Sequence, residues 1–124
     1  MSASQRVLVV DDDLLNQEVI SEFLAIGDYT IDLADDGQQA VEMVESNDYD
    51  LVLMDIMMPH MDGIEATTKI RVLADPSKAK TPVIAITARN PDTDQAIWFA
   101  IGVNDFVGKP FSEEEFIQVV SPYI

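Results

Sequence analysis

Val7-Leu8-Val9-Val10-Asp11-Asp12-Asp13 sets four apolar residues directly before three acids. An apolar, largely β-branched run of this length reads as a buried strand, and the acids mark where it ends. Taken alone, the triplet fits a solvated, capped helix start as well as it fits a binding site. The pattern recurs along the chain. Further apolar runs fall at Thr30–Ala34, Leu51–Met54, Pro82–Thr87 and Phe106–Gly108, each bounded by Asp, Gly or Pro. With Arg6–Val10 they make five expected strands.

Segments with helical spacing separate these strands. The first carries Leu15, Val19 and Phe23, with Ile20 and Leu24 beside them, on one apolar face, and Gly27 is expected to end it as a C-cap. Gln38–Ser46 turns Ala40, Val41 and Val44 inward, and Ile64–Leu73 turns Ile64, Thr67 and Ile70 inward. Asp94–Ile101 supplies a fourth helix, in which one of Trp98 and Phe99 faces the core and the other stays partly exposed. The fifth opens at Ser112 with Glu115 three residues on, a capping-box pattern. It buries Phe116, Val119 and Val120 and ends at Pro122.

Alternating strands and helices, with continuously apolar central strands, predict an α/β fold: a doubly wound parallel sheet covered on both faces through right-handed crossovers. The second strand, Thr30-Ile31-Asp32-Leu33-Ala34, alternates polar and apolar residues and so belongs at an edge. That favours the flavodoxin-like strand order 2-1-3-4-5, with five helices on the two faces. The 124 residues fit one domain with a core of about 6–121, and 48% hydrophobic content suffices to bury it. No repeat, linker or effector segment is read in this stretch.

Charge narrows the function. Seven basic against 23 acidic residues leave a net charge of −16, which repels nucleic-acid phosphates and anionic membranes. The chain has no cysteine, which excludes thiol chemistry. The amino-terminal apolar run is too short and wrongly flanked for a signal peptide, and no later stretch is long enough to span a bilayer. The expectation is a cytoplasmic protein.

The polar residues at strand ends carry the chemistry. Asp11 and Asp12 follow the first strand, Asp55 the third, Thr87 ends the fourth and Lys109 follows the fifth. Ligands of open parallel sheets bind outside the carboxyl ends of the strands, at the switch point, here between strands one and three. Three carboxylates gathered there repel one another unless a hard cation joins them. Magnesium suits the set, because it takes one or two carboxylates and keeps waters that phosphate oxygens can replace. Lys109 offers a positive charge and Thr87 a hydroxyl to a phosphoryl group. Such parts suit phosphoryl transfer, in which positioning and charge neutralisation dominate. Asp55, central and followed by a loop, is the candidate nucleophile. Asp12 and Asp11 are the candidate magnesium ligands, together with the main-chain carbonyl of Met57.

Four motifs occur in register: Val9-Val10-Asp11-Asp12, then Met54-Asp55-Ile56-Met57-Met58-Pro59 with Met61-Asp62-Gly63, then Thr87-Ala88, then Lys109-Pro110-Phe111. On these the chain resembles, along nearly its whole length, the receiver domains of two-component response regulators, the single-domain chemotaxis regulators included. The resemblance implies that Asp55 takes a phosphoryl group from the phosphohistidine of a histidine kinase or histidine phosphotransfer protein. It implies that Asp11, Asp12, Asp55 and the Met57 carbonyl hold Mg2+, and that Thr87, Lys109 and the switch aromatic Phe106 respond to the phosphate. It also implies a downstream protein target or effector domain, a monomer or phosphorylation-dependent dimer, and a switch that catalyses only its own phosphorylation and slow autodephosphorylation. Met57 and Arg89 stand where the family tunes that autodephosphorylation.

Other readings compete. A metal-dependent phosphohydrolase using an aspartyl phosphate commonly has a second acid two residues after its nucleophile, where this chain has Met57. A flavin carrier would want a glycine- and hydroxyl-rich loop after the first strand, where this chain has three acids. A receiver-like module that takes no phosphate would not need the acidic set. His60, the only histidine, lies in a turn with no second histidine or thiolate to share a metal. The methionines around it read as adaptable packing.

Overall fold

The computed structural model describes residues 5–25, 27, 29–56, 61–87, 95–108 and 111–124, with Gln95 and Ile97 described by their backbone only. Five strands, β1 (Gln5–Val10), β2 (Tyr29–Ala34), β3 (Leu51–Asp55), β4 (Val83–Thr87) and β5 (Asp105–Gly108), form one parallel sheet in the order β2-β1-β3-β4-β5. Six α-helices are described: α1 (Leu14–Leu24), α2 (Gly37–Ser46), α3 (Gly63–Arg71), α4 (Pro76–Ala79), α5 (Gln95–Ile101) and α6 (Glu113–Val120). None of the described helices is long and apolar enough to cross a membrane.

The sheet is covered on both faces because its central strands are apolar at successive positions, 7–10, 51–54 and 83–86. Side chains alternate across a strand. Val7, Val9, Leu51, Leu53, Ile84 and Ile86 therefore face α1 and α6, where they meet Ile20, Leu24, Phe116 and Val120. Leu8, Val10, Val52, Met54 and Val83 face α2 and α3, where they meet Ala40, Val44, Ala66 and Ile70. A third cluster joins Ile56 and Ala85 to Trp98 and Val103 under α5. Burying a side chain the size of Phe116 contributes about 1.5–3 kcal/mol. At the edge, β2 keeps Thr30 and Leu33 exposed and presents Asp32 to Arg6.

Side-chain caps set the helix starts. Asp13, Asp36 and Asp62 accept backbone N–H groups of Leu15, Gln39 and Glu65, and Ser112 and Glu115 complete a reciprocal capping box. The short α4 adds to the five expected helices; it forms because Asp75 caps it and Pro76 occupies its first turn. Two expectations for α1 need correction. Its buried face is Gln17, Ile20 and Leu24, whereas Leu15 is 65% exposed, because the Asp13 cap and the hydrogen bonds of Gln17 set the rotation of the helix. The C-cap is Ala25, in right-handed backbone, and not Gly27; a positive φ, +120°, is found at Gly102.

Gly102 ends α5 with the paired hydrogen bonds of a Schellman motif, Gly102 N–H to the Phe99 carbonyl and Val103 N–H to the Trp98 carbonyl. Against this turn lies the guanidinium of Arg71, which donates to the carbonyls of Ala79, Thr81 and Gly102 and to Asn104 Oδ1. Burial among these neutral oxygens lowers its pKa from the usual arginine range. One side chain thus joins the end of α3, the approach to β4 and the turn into β5.

Candidate active site

Register delivers the acids to one place. Val10 of β1 lies level with Met54 of β3, so the next residues, Asp11 and Asp55, emerge side by side at the carboxyl edge of the sheet. Asp55 closes β3 opposite Ile86, and Thr87 follows one residue on in the adjacent strand. Asp11, Asp55 and Thr87 are buried, with exposures of 1%, 4% and 3%, while Asp12 is exposed. One carboxylate oxygen from each of Asp11, Asp12 and Asp55 lies within 4.8 Å of the other two. Two like charges about 4 Å apart repel by about 4 kcal/mol at an effective dielectric constant of about 20, so the cluster calls for a cation.

The donor set fits magnesium. All three ligand groups are hard carboxylate oxygens, two are held by buried backbone, and Asp12 lies on the solvent side. Asp11 is fixed twice: its N–H donates to the Ala34 carbonyl (3.1 Å), and its Oδ1 accepts the Asp13 N–H (2.9 Å). Asp55 is closely backed by backbone, since a Cβ added at Gly63 would overlap the Asp55 carbonyl oxygen. That approach requires glycine at position 63.

The expected site residues Met57 and Lys109 lie outside the described residues, as do His60 and Arg89. Phe106 is described. It pairs with Ala85 of β4, is partly buried, and sets its ring against Trp98 and Phe99, with centroids 6.4 and 6.2 Å away. Trp98 faces the core at 7% exposure and Phe99 stays at 45%, the division expected for that pair.

One residue of the site went unread in the sequence. Gln17, 2% exposed, donates through Nε2 to the Asp11 carbonyl (2.7 Å), to Asp35 Oδ1 (3.1 Å) and to the Ala34 carbonyl (3.3 Å). The available signal was its spacing, three and seven residues before Ile20 and Leu24, which puts a polar residue on the buried face of α1.

Residues 7–121 match the response regulator receiver domain family. The response regulator MprA of Mycobacterium ulcerans is 36% identical over 114 residues, which are 92% of this chain and 47% of that protein. The chain thus spans about half the length of that relative. Among solved structures, the receiver domain of the sensor histidine kinase PA1611 of Pseudomonas aeruginosa, which has magnesium coordinated in its active-site cleft, superposes with a TM-score of 0.85 at 36% identity, covering 98% of both chains. The receiver domain of Saccharomyces cerevisiae Ssk1, solved with the histidine phosphotransfer protein Ypd1, gives 0.84 at 25% identity, with 99% of this chain and 90% of that chain covered.

Proposed function

The chain belongs to the response regulator receiver domain family, and from that premise we propose that it is a phosphoryl-accepting switch in which Asp55 is the acceptor. Members of the family are signalling switches and not turnover enzymes. The observation that carries the assignment is the convergence of Asp11, Asp12 and Asp55 oxygens within 4.8 Å, at the strand edge where Thr87 also ends.

In this reading an Asp55 carboxylate oxygen attacks the phosphorus of a phosphohistidine. The new P–O bond forms as the P–N bond breaks, and the P–N electron pair leaves with the imidazole. Bound Mg2+ would supply charge neutralisation for the acidic set and the phosphoryl oxygens. Asp11 and Asp12 would hold it with Asp55, and the Met57 carbonyl would complete the protein's share. Thr87 donates its hydroxyl to one phosphoryl oxygen and Lys109 gives a charge-assisted bond to another. Those bonds favour one arrangement of α5 and β5, including the Phe106 ring, so phosphate shifts a pre-existing equilibrium. The donor is a histidine kinase or histidine phosphotransfer protein, as the Ypd1 complex of the yeast relative suggests. The output is a downstream protein or effector domain read by a monomer or a phosphorylation-dependent dimer, in the cytoplasm.

Intact mass after incubation with Mg2+ and acetyl phosphate tests the acceptor. Wild type should gain one phosphate and Asp55→Asn none; equal labelling of the two would remove Asp55 from the role.

A further inference from the structure

We infer that Gln17 is a positioning residue for the magnesium centre, acting through the peptide that joins Asp11 to Asp12; the inference rests on the site reading above. Both main-chain groups of Asp11 are held. Its N–H donates to the Ala34 carbonyl at 3.1 Å, and its carbonyl accepts Gln17 Nε2 at 2.7 Å. The same nitrogen reaches the Ala34 carbonyl and Asp35 Oδ1, so one buried amide ties the turn after β1 to the turn after β2. β1 itself ends at Val10, and Asp12 is exposed. The direction of the Asp12 side chain therefore follows from the peptide plane before it, which Gln17 holds.

This placement matters because the three carboxylates oppose their own assembly. With the metal absent, like-charge repulsion opposes the gathering of Asp12 with Asp11 and Asp55, and a fixed Asp11–Asp12 peptide resists its displacement. Metal affinity depends on groups that orient the ligands, whose loss typically lowers it about 10- to 100-fold. Gln17 touches a ligand's backbone and not its carboxylate, so the lower end of that range applies. A packing role alone would predict lower stability with unchanged affinity.

The test is Mg2+ titration by calorimetry on Gln17→Met, which keeps the length and shape of the side chain and removes its donors. We expect the Mg2+ Kd to rise about tenfold. Phosphate incorporation from acetyl phosphate should recover near wild-type rates at saturating Mg2+, so that the metal requirement changes and the limiting rate does not. Gln39→Met is the control: Gln39 Oε1 accepts the Asp35 N–H at 2.8 Å, a hydrogen bond of the same loop that does not involve Asp11. Wild-type affinity in Gln17→Met, or an equal loss in Gln39→Met, would overturn the inference. Should Gln17→Met fail to fold, wild-type protein still decides by NMR. The Gln17 side-chain amide resonances should move with the same Mg2+ midpoint as the Asp12 and Asp13 backbone amides, and a side-chain amide that stays in place would refute the role. A wild-type protein that binds no Mg2+ would overturn the site reading itself.

Discussion

Tyr49 sits at the opposite end of the sheet from the acids, and its hydroxyl donates to Asp32 Oδ2 at 2.8 Å. Arg6 lies over the ring, 5.4 Å from its centroid, and pairs with the same carboxylate. Burial first, then the hydrogen bond and the charge of Asp32, raise the hydroxyl's pKa above its ordinary 10.0, with Arg6 opposing. A raised pKa means that the folded state favours the protonated form. The stability it confers is complete below about pH 10 and is lost as pH climbs beyond that. Tyr49→Phe should accordingly flatten the fall in Tm above about pH 10, measured by circular dichroism; a decline as steep as that of wild type would contradict the linkage. On the proposed function, two further residues would bear on the lifetime of the phosphorylated state. Met57 and Arg89 offer neither a good base nor an amide to orient a water, so phosphorylated protein should not be unusually short-lived. Decay of the phosphorylated mass within seconds at neutral pH in Mg2+ would contradict this.

At the scale of elements, the end of α5 is a constrained turn. Gly102 has φ of +120°, and an added Cβ would meet the Arg71 side chain at 2.6 Å. Gly102→Ala should destabilise the protein by roughly 1–3 kcal/mol in urea unfolding, with Arg71 displaced from the turn. A midpoint equal to that of wild type would show that the turn relaxes freely. The central strands were legible in sequence because burial on both faces leaves an unbroken apolar run, and for all five strands the expected limits coincide at one end and differ by one residue at the other. The acids and Thr87 were legible for a related reason, being the polar residues at which those runs stop. The rotation of α1 was not legible. Leu15 lies in one apolar stripe with Val19 and Phe23, of which Phe23 reaches the core; what leaves Leu15 outside is set by Asp13 and by Gln17, a polar residue whose partners belong to other segments. The four-residue α4 has too few positions to show a period.

Across the whole molecule the net charge of −16 means that the acidic site lies in a field of its own sign. Binding Mg2+ should raise Tm, because a ligand of the folded state stabilises it by mass action. Asp12→Asn inverts the balance. Without metal it should melt a few degrees above wild type, since one member of the repelling cluster is gone, and Mg2+ should then add little. Differential scanning fluorimetry with and without Mg2+ reads both effects; an Asp12→Asn variant that melts below wild type without metal would count against repulsion as the dominant cost. Arg71 gives the fold a mechanical asymmetry. It bolts the carboxyl end of α5 to two other stretches of chain, the end of α3 and the approach to β4. Any rearrangement of α5 that keeps those bonds must therefore pivot about Gly102.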